Sequence, residues 1–474
     1  MALCAYSGFF GYFVKTGHYQ KIMELSEGGV FENMALRTFK GGVHPRYNKD
    51  ATYAKPIKAM PSPGKVVIPL HQHTGAPCEP IVKVGDEVKV GQKIGDSKAA
   101  LTAPIHASVS GKVKAITRYP QSSGVDGLSI VIESDGLDTK DESIRTRDNV
   151  DKLNPDELIG ILREAGIVGL GGAAFPTYFK LKPPAGKTFD TLLLNGAECE
   201  PYLSADHRLM VERPADVVAG AGLLMKAIGV ERAVIGVENN KPDAISALRE
   251  AVQGDDRIEI APLGVKYPQG AEKQLIWAIL GREVPSGGLP VDVGVVVNNV
   301  GTAVAVKEAV IDSMPLVRRV VTVTGSCVRE PGNLMVPIGT LVSDIIDMCG
   351  GTEFPPKKVI IGGPMMGIAQ YTTDIPVTKG TSGILLLSEK EVVVEEPIAC
   401  IRCGKCVEAC PMNLMPLWIA GYQEAGRFDD CEKLGALDCI ECGCCSFICP
   451  SRRRLVQGIR VAKAEIRARR SARR

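Results

Sequence analysis

The pattern of apolar and polar residues divides the chain into regions that predict different structures. Between residues 65 and 133, short β-rich runs are separated by Gly-Asp, Gly-Gln and Ser-Gly turns, and this spacing predicts a small barrel or sandwich. The predicted strands are 65–70, 79–84, 87–90, 112–116 and 129–133. We assign this domain to residues 38–134, followed by a charged linker at 135–154.

From residue 155 onward, helical and strand-like patterns alternate. The predicted helices lie at 155–165, 213–228 and 242–252, and the predicted strands lie at 191–195, 232–237, 258–263 and 294–297. This alternation is typical of an α/β domain with a mostly parallel sheet, here residues 155–316. A small α+β unit is predicted at 317–388, and a Glu- and Val-rich linker at 389–397 leads into a cysteine-rich region at 398–452.

Composition excludes several classes of protein. The chain has 474 residues, which at roughly 150 per domain indicates about three domains or more. Hydrophobic residues make up 45%, and no apolar run approaches the ~18 residues of a membrane span. The formal net charge is only +2, which argues against a nucleic-acid-binding protein, although residues 452–474 contain ten Lys or Arg and one acidic residue.

The N-terminal extension, residues 1–37, lacks the features of a targeting signal. An internal methionine, Met34, directly precedes the globular pattern, and we hypothesise that it is the native start. Ten of the 15 cysteines fall between Cys400 and Cys449. So local a cluster favours metal ligation in a reducing cytosol over secreted disulfides.

The cysteine spacing is the strongest chemical signal. Cys400-x-x-Cys403-x-x-Cys406-x-x-x-Cys410-Pro411 recurs from Cys439 to Pro450, as in two-cluster bacterial ferredoxins. In that pattern three close cysteines hold one [4Fe–4S] cluster and the fourth reaches the other cluster. The predicted ligand sets are Cys400, Cys403, Cys406 and Cys449, and Cys439, Cys442, Cys445 and Cys410. Two zinc sites are the alternative, and Cys431 and Cys444 are interpreted as packed thiols.

A glycine-rich loop between Gly166 and Thr177 is the candidate for a second cofactor. Glycines let backbone N–H groups approach a phosphate, and Gly169-x-Gly171-x-x-Ala174 matches a dinucleotide fingerprint. A helix rather than a strand precedes these glycines, so a plain tight loop is the alternative in isolation.

Three further motifs strengthen the cofactor interpretation. They are Asn195-Gly-Ala-Glu198-Cys-Glu200-Pro201, Tyr267-Pro-Gln-Gly270-Ala-Glu272-Lys273 and Val297-Asn298-Asn299-Val300-Gly-Thr302. With the glycine-rich loop, they resemble the flavin-binding NADH dehydrogenase subunit of respiratory complex I in order and spacing. The resemblance implies FMN at the loop, with NADH stacked over the flavin.

The same resemblance implies a set of site residues. The implied FMN contacts are Gly169, Gly171, Gly172, Ala173, Asn195, Asn298 and Asn299. The implied NADH contacts are Phe175, Lys180, Glu198, Glu200, Tyr267 and Glu272. Two acidic positions of the family motif are Ala197 and Ala271 here, and these are the departures from the pattern.

Motifs outside this domain extend the resemblance. They include Thr38-Phe-Lys-Gly41-Gly42, Ile68-Pro69-Leu70-x-Gln72-His73, His106-Ala-Ser-Val-Ser-Gly111 and Ile361-Gly-Gly-Pro364-Met365-Met366-Gly367. From about Thr38 to Ile466 the chain is similar to the C subunit of Rnf-type ion-translocating ferredoxin:NAD oxidoreductases. The resemblance implies a barrel-sandwich hybrid, a complex I flavoprotein-like α/β domain, a β-grasp unit of the SLBB type and a two-cluster ferredoxin domain.

The implied function is electron transfer within a membrane complex. The chain is expected to exchange hydride with NAD(H) at FMN and to pass single electrons through two [4Fe–4S] clusters. Its expected partners are other subunits of the complex, including a ferredoxin-accepting one. Its expected place is peripheral, on the cytoplasmic face of the cell membrane. A cobalamin reductase is the alternative, and so is a flavin-free electron-wiring scaffold, which only Ala197 and Ala271 favour.

Three remaining features have structural interpretations. Lys98 lacks the flanking residues of a lipoylated or biotinylated lysine, so the barrel is expected to act as an unmodified lid or docking domain. His44, His71, His73 and His106 are expected to be structural. In the basic tail, 453–474, the spacing of Leu455, Ile459, Ala462 and Ile466 predicts a helix packed on the ferredoxin fold. Docking on partners and attraction to an anionic membrane are the alternatives.

Overall fold

The computed structural model describes residues 36–392 and 396–472. The hypothetical start at Met34 and nearly all of the predicted extension lie outside these residues. No helix in the described part of the chain is both long and apolar enough to cross a membrane.

Residues 37–59, here called the arm, lie outside the barrel to which the sequence pattern assigns them. Arg37 bridges to Leu263, and Val43 bridges to Tyr267. Strand β1 (Ile57–Ala59) pairs in parallel with residues 333–335, far along the chain. Pairing with strands that are distant in sequence therefore decides where the arm lies.

The next region forms the predicted barrel-sandwich from two small antiparallel sheets. Its strands are β2 (Lys65–Pro69), β3 (Glu79–Pro80), β4 (Glu87–Val88), β5 (Lys93–Asp96), β6 (Ile105–His106), β7 (Gly111–Tyr119) and β8 (Gly127–Ser134). One sheet has the order β2-β8-β7-β4 and the other the order β3-β5-β6. Alternating apolar residues such as Ile130 and Ile132 point into a shared core that is fully buried.

The charged segment at 135–154 has little regular structure, as predicted, but it is tied down by hydrogen bonds. The backbone N–H of Val90 donates to Thr139 O (2.9 Å), and the N–H of Arg147 donates to Ile311 O (2.7 Å). The segment therefore joins the barrel to the next domain along a defined path.

The α/β domain contains a four-stranded parallel sheet in the order β11-β10-β9-β12. The strands are β9 (Thr191–Asn195), β10 (Ala233–Glu238), β11 (Ile258–Leu263) and β12 (Val295–Asn299). The helices are α1 (Pro155–Glu164), α2 (Thr177–Lys180), α3 (Ala205–Glu212), α4 (Pro214–Ile228), α5 (Pro242–Ala251), α6 (Glu272–Leu280) and α7 (Val300–Ile311). Strands β9 and β12 are neighbours and end together, with Asn195 opposite Asn299. In such sheets ligands bind at the carboxyl ends of the strands.

The β-grasp unit is built on a six-stranded sheet with the order β1-β14-β13-β17-β15-β16. Its own elements are β13 (Arg318–Thr324), β14 (Gly332–Pro337), α8 (Val342–Met348), β15 (Lys358–Ile361), β16 (Ile368–Gln370) and β17 (Gly383–Leu387). The arm supplies the edge strand β1, so this sheet is completed by residues that precede the barrel in sequence.

The cysteine-rich region is helical: α9 (Lys405–Glu408), α10 (Pro416–Glu424), α11 (Phe428–Lys433), α12 (Cys444–Phe447) and α13 (Leu455–Ala472). The sequence repeat is also a backbone repeat. Gly404 precedes α9 with φ 78° and Gly443 precedes α12 with φ 81°. These left-handed turns are conformations that glycine adopts without strain.

The tail packs on the ferredoxin region, as the first of its three interpretations predicts. Ile459, Ala462 and Ile466 of α13 share a core with Ile419 and Cys431. The basic end is partly neutralised, since Arg469 pairs with Glu465 and Arg470 pairs with Glu432. Helix α13 is therefore part of the ferredoxin fold rather than a separate tail beginning at residue 453.

Candidate functional site

The glycine-rich loop connects α1 to α2 and folds back on itself. The N–H of Gly169 donates to Phe175 O (2.9 Å), and the N–H of Thr177 donates to Ile167 O (3.0 Å). A side chain at Gly171 would lie 3.1 Å from Asn299, whereas at Gly172 it would meet no atom within 4 Å. One glycine therefore fits against the end of β12, and the other leaves an open approach to the backbone.

Two of the three asparagines shape the loops at the strand ends. Asn299 caps α7 by accepting the N–H of Gly301 (2.8 Å) and donates to Asp206 (2.7 Å). Asn195 donates to Gly270 O (2.8 Å). The third, Asn298, is buried, and its Nδ2 has no hydrogen-bond partner among the described residues. A buried unpaired amide calls for a ligand atom or water.

The barrel and the β-grasp unit both form hydrogen bonds to the backbone of the glycine-rich loop. Thr74 of the barrel donates through its hydroxyl to Ala173 O (2.8 Å). Lys379 of the β-grasp unit donates to Gly166 O and to Pro104 O, each at 2.7 Å. Arg319, on β13, donates to Leu170 O (3.4 Å). Sequence reasoning missed these positions, although Thr74 directly follows the Gln72-His73 end of a motif that carries the family resemblance.

The six implied NADH residues separate into two groups. Phe175, Lys180 and Glu272 lie on the accessible side. There Lys180 and Glu272 form an ion pair at 2.5 Å, with side chains 30% and 39% exposed, and the Phe175 ring lies 6.0 Å from that of Phe179. Glu198, Glu200 and Tyr267 form the second group and are engaged within the protein.

The carboxylates of Glu198 and Glu200 each accept hydrogen bonds from two backbone N–H groups. The Glu198 carboxylate accepts the N–H groups of Asp206 (2.7 Å) and His207 (3.3 Å) at the start of α3. The Glu200 carboxylate accepts those of Met365 (2.6 Å) and Met366 (3.1 Å). The Gly-Gly-Pro-Met-Met-Gly motif thus has a physical role, because a side chain at Gly363 would lie 2.0 Å from Glu200 Cγ.

Burial controls the protonation of this loop. It raises the pKa of Glu200, which the two N–H groups partly offset. Burial, and then the neighbouring Glu198, raise the pKa of Asp206 to about 7. Burial raises the pKa of the Cys199 thiol to about 12. The Asp206 carboxyl, which accepts a hydrogen bond from Asn299, is therefore easier to protonate than an exposed aspartate.

The structure shows the surroundings of Ala197 and Ala271, the two departures from the family motif. Ala197 is fully buried in an apolar cluster with Leu193 and Val234, and its carbonyl accepts a hydrogen bond from Lys241 (2.7 Å). Ala271 directly precedes α6. A methyl group at position 197 suits this apolar contact, whereas a carboxylate there would be buried at a cost.

The eight motif cysteines line two cavities. The outer cavity is lined by Cys400, Cys403, Cys406 and Cys449, of which Cys400 and Cys403 are exposed. The inner cavity is lined by Cys410, Cys439, Cys442 and Cys445. The two groups of cysteines are the same as the two ligand sets that the ferredoxin motif predicts. Within residues 36–392 and 396–472 no three His, Cys, Asp or Glu side chains are arranged around a single metal ion.

The inner cavity faces the α/β domain. The Tyr267 hydroxyl donates to Cys442 O (2.8 Å), and Gln274 donates to Pro411 O (3.0 Å). The arm passes between the inner cavity and the α/β domain. The N–H of its residue Gly42 donates to Ala409 O (2.9 Å) in the ferredoxin region. Cys199, Tyr267, Cys442 and Cys444 belong to one buried cluster. The inner cavity therefore packs against the loop that carries Asn195 and Glu200.

Family models match the chain in four consecutive parts. They are the RnfC barrel sandwich hybrid domain (37–137), the Nuo51 FMN-binding domain (162–308), the SLBB domain (320–369) and the 4Fe-4S dicluster domain (392–466). These matches confirm the predicted fold class and the predicted FMN and paired [4Fe–4S] clusters. They do not support the zinc alternative.

Similar proteins come from several bacteria. The C subunit of the Na(+)-translocating ferredoxin:NAD(+) oxidoreductase complex of Acetobacterium woodii is 52% identical over 92% of this chain and 99% of its own length. The proton-translocating counterpart of Clostridium ljungdahlii is 51% identical over 91% and 95%. The C subunit of the ion-translocating oxidoreductase complex of Rhodobacter capsulatus is 41% identical over 93% and 86%.

Among solved structures, an NAD+-reducing [NiFe]-hydrogenase in the air-oxidized state matches 58% of this chain and 54% of its own chain, with 23% identity and a TM-score of 0.45. The relatives above span the barrel as well as the flavin and cluster domains, which counts against the cobalamin reductase alternative. On the strength of those full-length matches, the chain belongs to the family of C subunits of ion-translocating ferredoxin:NAD(+) oxidoreductase complexes.

Proposed function

We propose that this chain is the NADH-, FMN- and iron–sulfur-containing subunit of a ferredoxin:NAD+ oxidoreductase that moves ions across a membrane. The observation that carries the proposal is the junction of two sites: the glycine-rich loop and asparagines at the strand ends, and the inner cysteine cavity packed against the same domain through Tyr267. Full-length similarity to subunits of such complexes supports it.

The residues present fit a flavin. Gly172 leaves its backbone open, and the Asn298 amide is buried without a protein partner. We therefore assign the flavin to the space bounded by Gly169, Gly171, Gly172, Ala173 and the three asparagines. When bound, FMN converts two-electron hydride transfer into one-electron transfer. The chain's own residues hold the loop: Thr302 through Leu170, Thr74 through Ala173, and Lys379 through Gly166.

The nucleotide is proposed to approach the accessible group of residues. Phe175 offers an aromatic face, and Lys180 offers a partly exposed ammonium beside Glu272. The half-buried Glu198 and Glu200 position this region by holding the start of α3 and the Met365–Met366 backbone. Their part in NADH binding is thus positional.

The two cavities are proposed to act in a fixed order. The inner cavity packs on the flavin domain, whereas the outer cavity has two exposed cysteines. We therefore assign the inner cavity to electron exchange with the flavin and the outer cavity to exchange with a partner subunit. The partner would lie at the cytoplasmic face of the membrane, with this chain attached peripherally.

Cofactor analysis tests the proposal directly. The full chain, purified anaerobically, is expected to contain one FMN and about eight irons for two [4Fe–4S] clusters. Addition of NADH should bleach the flavin absorbance and then reduce the clusters. A preparation with both cofactors that NADH does not bleach would contradict the proposal, and one with iron but no flavin would favour the scaffold alternative.

The nucleotide contact is tested by Lys180→Ala. A charge-assisted hydrogen bond contributes roughly 1.5–3 kcal/mol, so the KM for NADH should rise about 10- to 100-fold while flavin and iron contents stay unchanged. Lys182→Ala, at an exposed lysine two residues away, is the matched control and should leave the KM unchanged. Equal KM values for the two variants would remove Lys180 from the nucleotide site.

A further inference from the structure

The outer cysteine cavity contains a buried hydroxyl with no assigned role. Ser451 lines this cavity and follows Cys449 and Pro450 directly. It is only 2% exposed, and its Oγ has no hydrogen-bond partner in the described part of the chain. Its backbone is ordinary, with the carbonyl accepting the N–H of Ile398 (3.1 Å). A buried hydroxyl without a partner is costly unless the occupant of the cavity supplies an acceptor.

The internal repeat provides a built-in comparison. In the first repeat the residue after Cys410 and Pro411 is Met412, which lines the inner cavity. Its thioether sulfur already accepts a hydrogen bond from Gln274 (3.3 Å) and has no proton to donate. The two cavities thus have matching cysteines but differ at one position, which carries a hydroxyl donor in the outer cavity and a thioether without a proton in the inner cavity.

We infer that the Ser451 hydroxyl donates a hydrogen bond to a sulfur atom of the cluster in the outer cavity and thereby raises the midpoint potential of that cluster. The inference rests on the proposed function, since it requires both clusters. Reduction adds negative charge to a cluster, and a donor aimed at its sulfurs is bound more strongly by the reduced form. A higher potential makes the outer cluster easier to reduce, whether the electron comes from the flavin side or from the partner.

Ser451→Ala in the full chain tests the inference by an EPR-monitored redox titration. The equilibrium constant for one-electron reduction of one cluster is expected to fall about tenfold, a shift of about 59 mV to lower potential, with the other cluster unchanged. Pulsed ENDOR should show the loss of one exchangeable proton coupled to the shifted cluster. Ser451→Thr retains the hydroxyl and should keep the parental potential.

Two variants at Met412 serve as the matched control and the reciprocal test. Met412→Leu exchanges one apolar side chain for another and should leave both potentials unchanged. Met412→Ser should raise the potential of the cluster that Ser451→Ala leaves unchanged, and this result is independent of how well Ser451→Ala folds.

The outcomes separate the inference from the proposed function. If Ser451→Ala retains about eight irons and neither potential shifts, the hydrogen bond is absent and the inference is overturned while the proposed function stands. If the parent chain itself binds no [4Fe–4S] clusters, the proposed function fails first.

Discussion

At the scale of single residues, the most unusual environment is that of Lys379. Its side chain is 1% exposed, and its ammonium donates to two backbone carbonyls, one in the barrel and one in the glycine-rich loop. Burial lowers its pKa to about 7. A neutral amine still donates two hydrogen bonds, so Lys379 can link these segments without carrying a buried charge.

This environment predicts a pH dependence of stability. The pKa of Lys379 in the folded protein, about 7, lies below the value of 10.5 for an exposed lysine, so between these pH values the unfolded chain binds the extra proton. The stability contributed by this residue should therefore rise with pH above about 7, by up to about 1.4 kcal/mol per pH unit.

Thermal unfolding of Lys379→Met at pH 7, 8 and 9 checks this expectation. The variant should be less stable than the parent, because Pro104 O and Gly166 O lose their donor, and its midpoint should rise less with pH. Lys83→Met, at an exposed lysine, should preserve the parental slope. Parallel curves for Lys379→Met and the parent would show that Lys379 stays charged.

At the scale of elements, the arm joins units that are distant in sequence. It bridges to the α/β domain at Leu263 and Tyr267, contacts the ferredoxin region at Ala409, and ends as a strand of the β-grasp sheet. Gly42, with φ 80°, lies at the tightest point, where an added Cβ would come within 2.6 Å of Tyr267 O. Only glycine fits both the space and the backbone conformation.

Gly42→Ala should therefore loosen the arm between the α/β domain and the inner cavity. The expected result is faster limited proteolysis and slower reduction of the clusters by NADH, measured by stopped-flow absorbance, with flavin bleaching unaffected. Gly64→Ala, where an added Cβ meets no atom within 4 Å, is the control and should behave as the parent. An unchanged rate of cluster reduction in Gly42→Ala would show that electron transfer does not depend on the arm.

At the scale of the whole molecule, the domains are arranged around the path proposed for electrons. The barrel and the β-grasp unit hold the glycine-rich loop through Thr74 and Lys379. The ferredoxin region presents its inner cavity to the flavin domain and its outer cavity to solvent. Loss of the outer cluster alone should therefore leave the first electron transfer intact.

Cys403→Ser tests this arrangement. It should lower the iron content from about eight to about four per chain, while NADH still bleaches the flavin and reduces the remaining cluster. Transfer onward to a protein acceptor should be lost. Cys431→Ala is the control, since Cys431 packs in the apolar core and donates to Ile419 O (3.3 Å), and it should retain all the iron. Loss of iron from the Cys431 variant would revise the ligand sets.

Much of this organisation could be predicted from the sequence. The strands at 191–195 and 258–263 match β9 and β11 residue for residue, because a short apolar run bounded by polar turns has few alternatives in an α/β domain. Helix α1 begins at Pro155, the predicted start, where the structure adds an Asn154–Glu157 capping box. The cysteines that line each cavity match the ferredoxin motif, in which three close cysteines of one repeat join the fourth cysteine of the other.

Other features were not accessible to sequence reasoning. Glu198 and Glu200 read as an acidic pair beside a cofactor loop, yet each binds backbone N–H groups, at α3 and at Met365–Met366. The course of the arm and the buried position of Lys379 depend on partners more than 200 residues away in sequence. No local pattern marks such contacts.

The sequence by itself determined the main strands and helices of the α/β domain, the family resemblance and the repeated cysteine motif, because these depend on periodicity and on residue spacing. Tertiary structure alone decided which cavity faces the flavin domain, which acidic residues stay accessible, and that the Ser451 hydroxyl is buried beside the outer cavity without a protein partner. These properties arise from burial and from hydrogen bonds between distant segments, and burial is created only when the domains pack together.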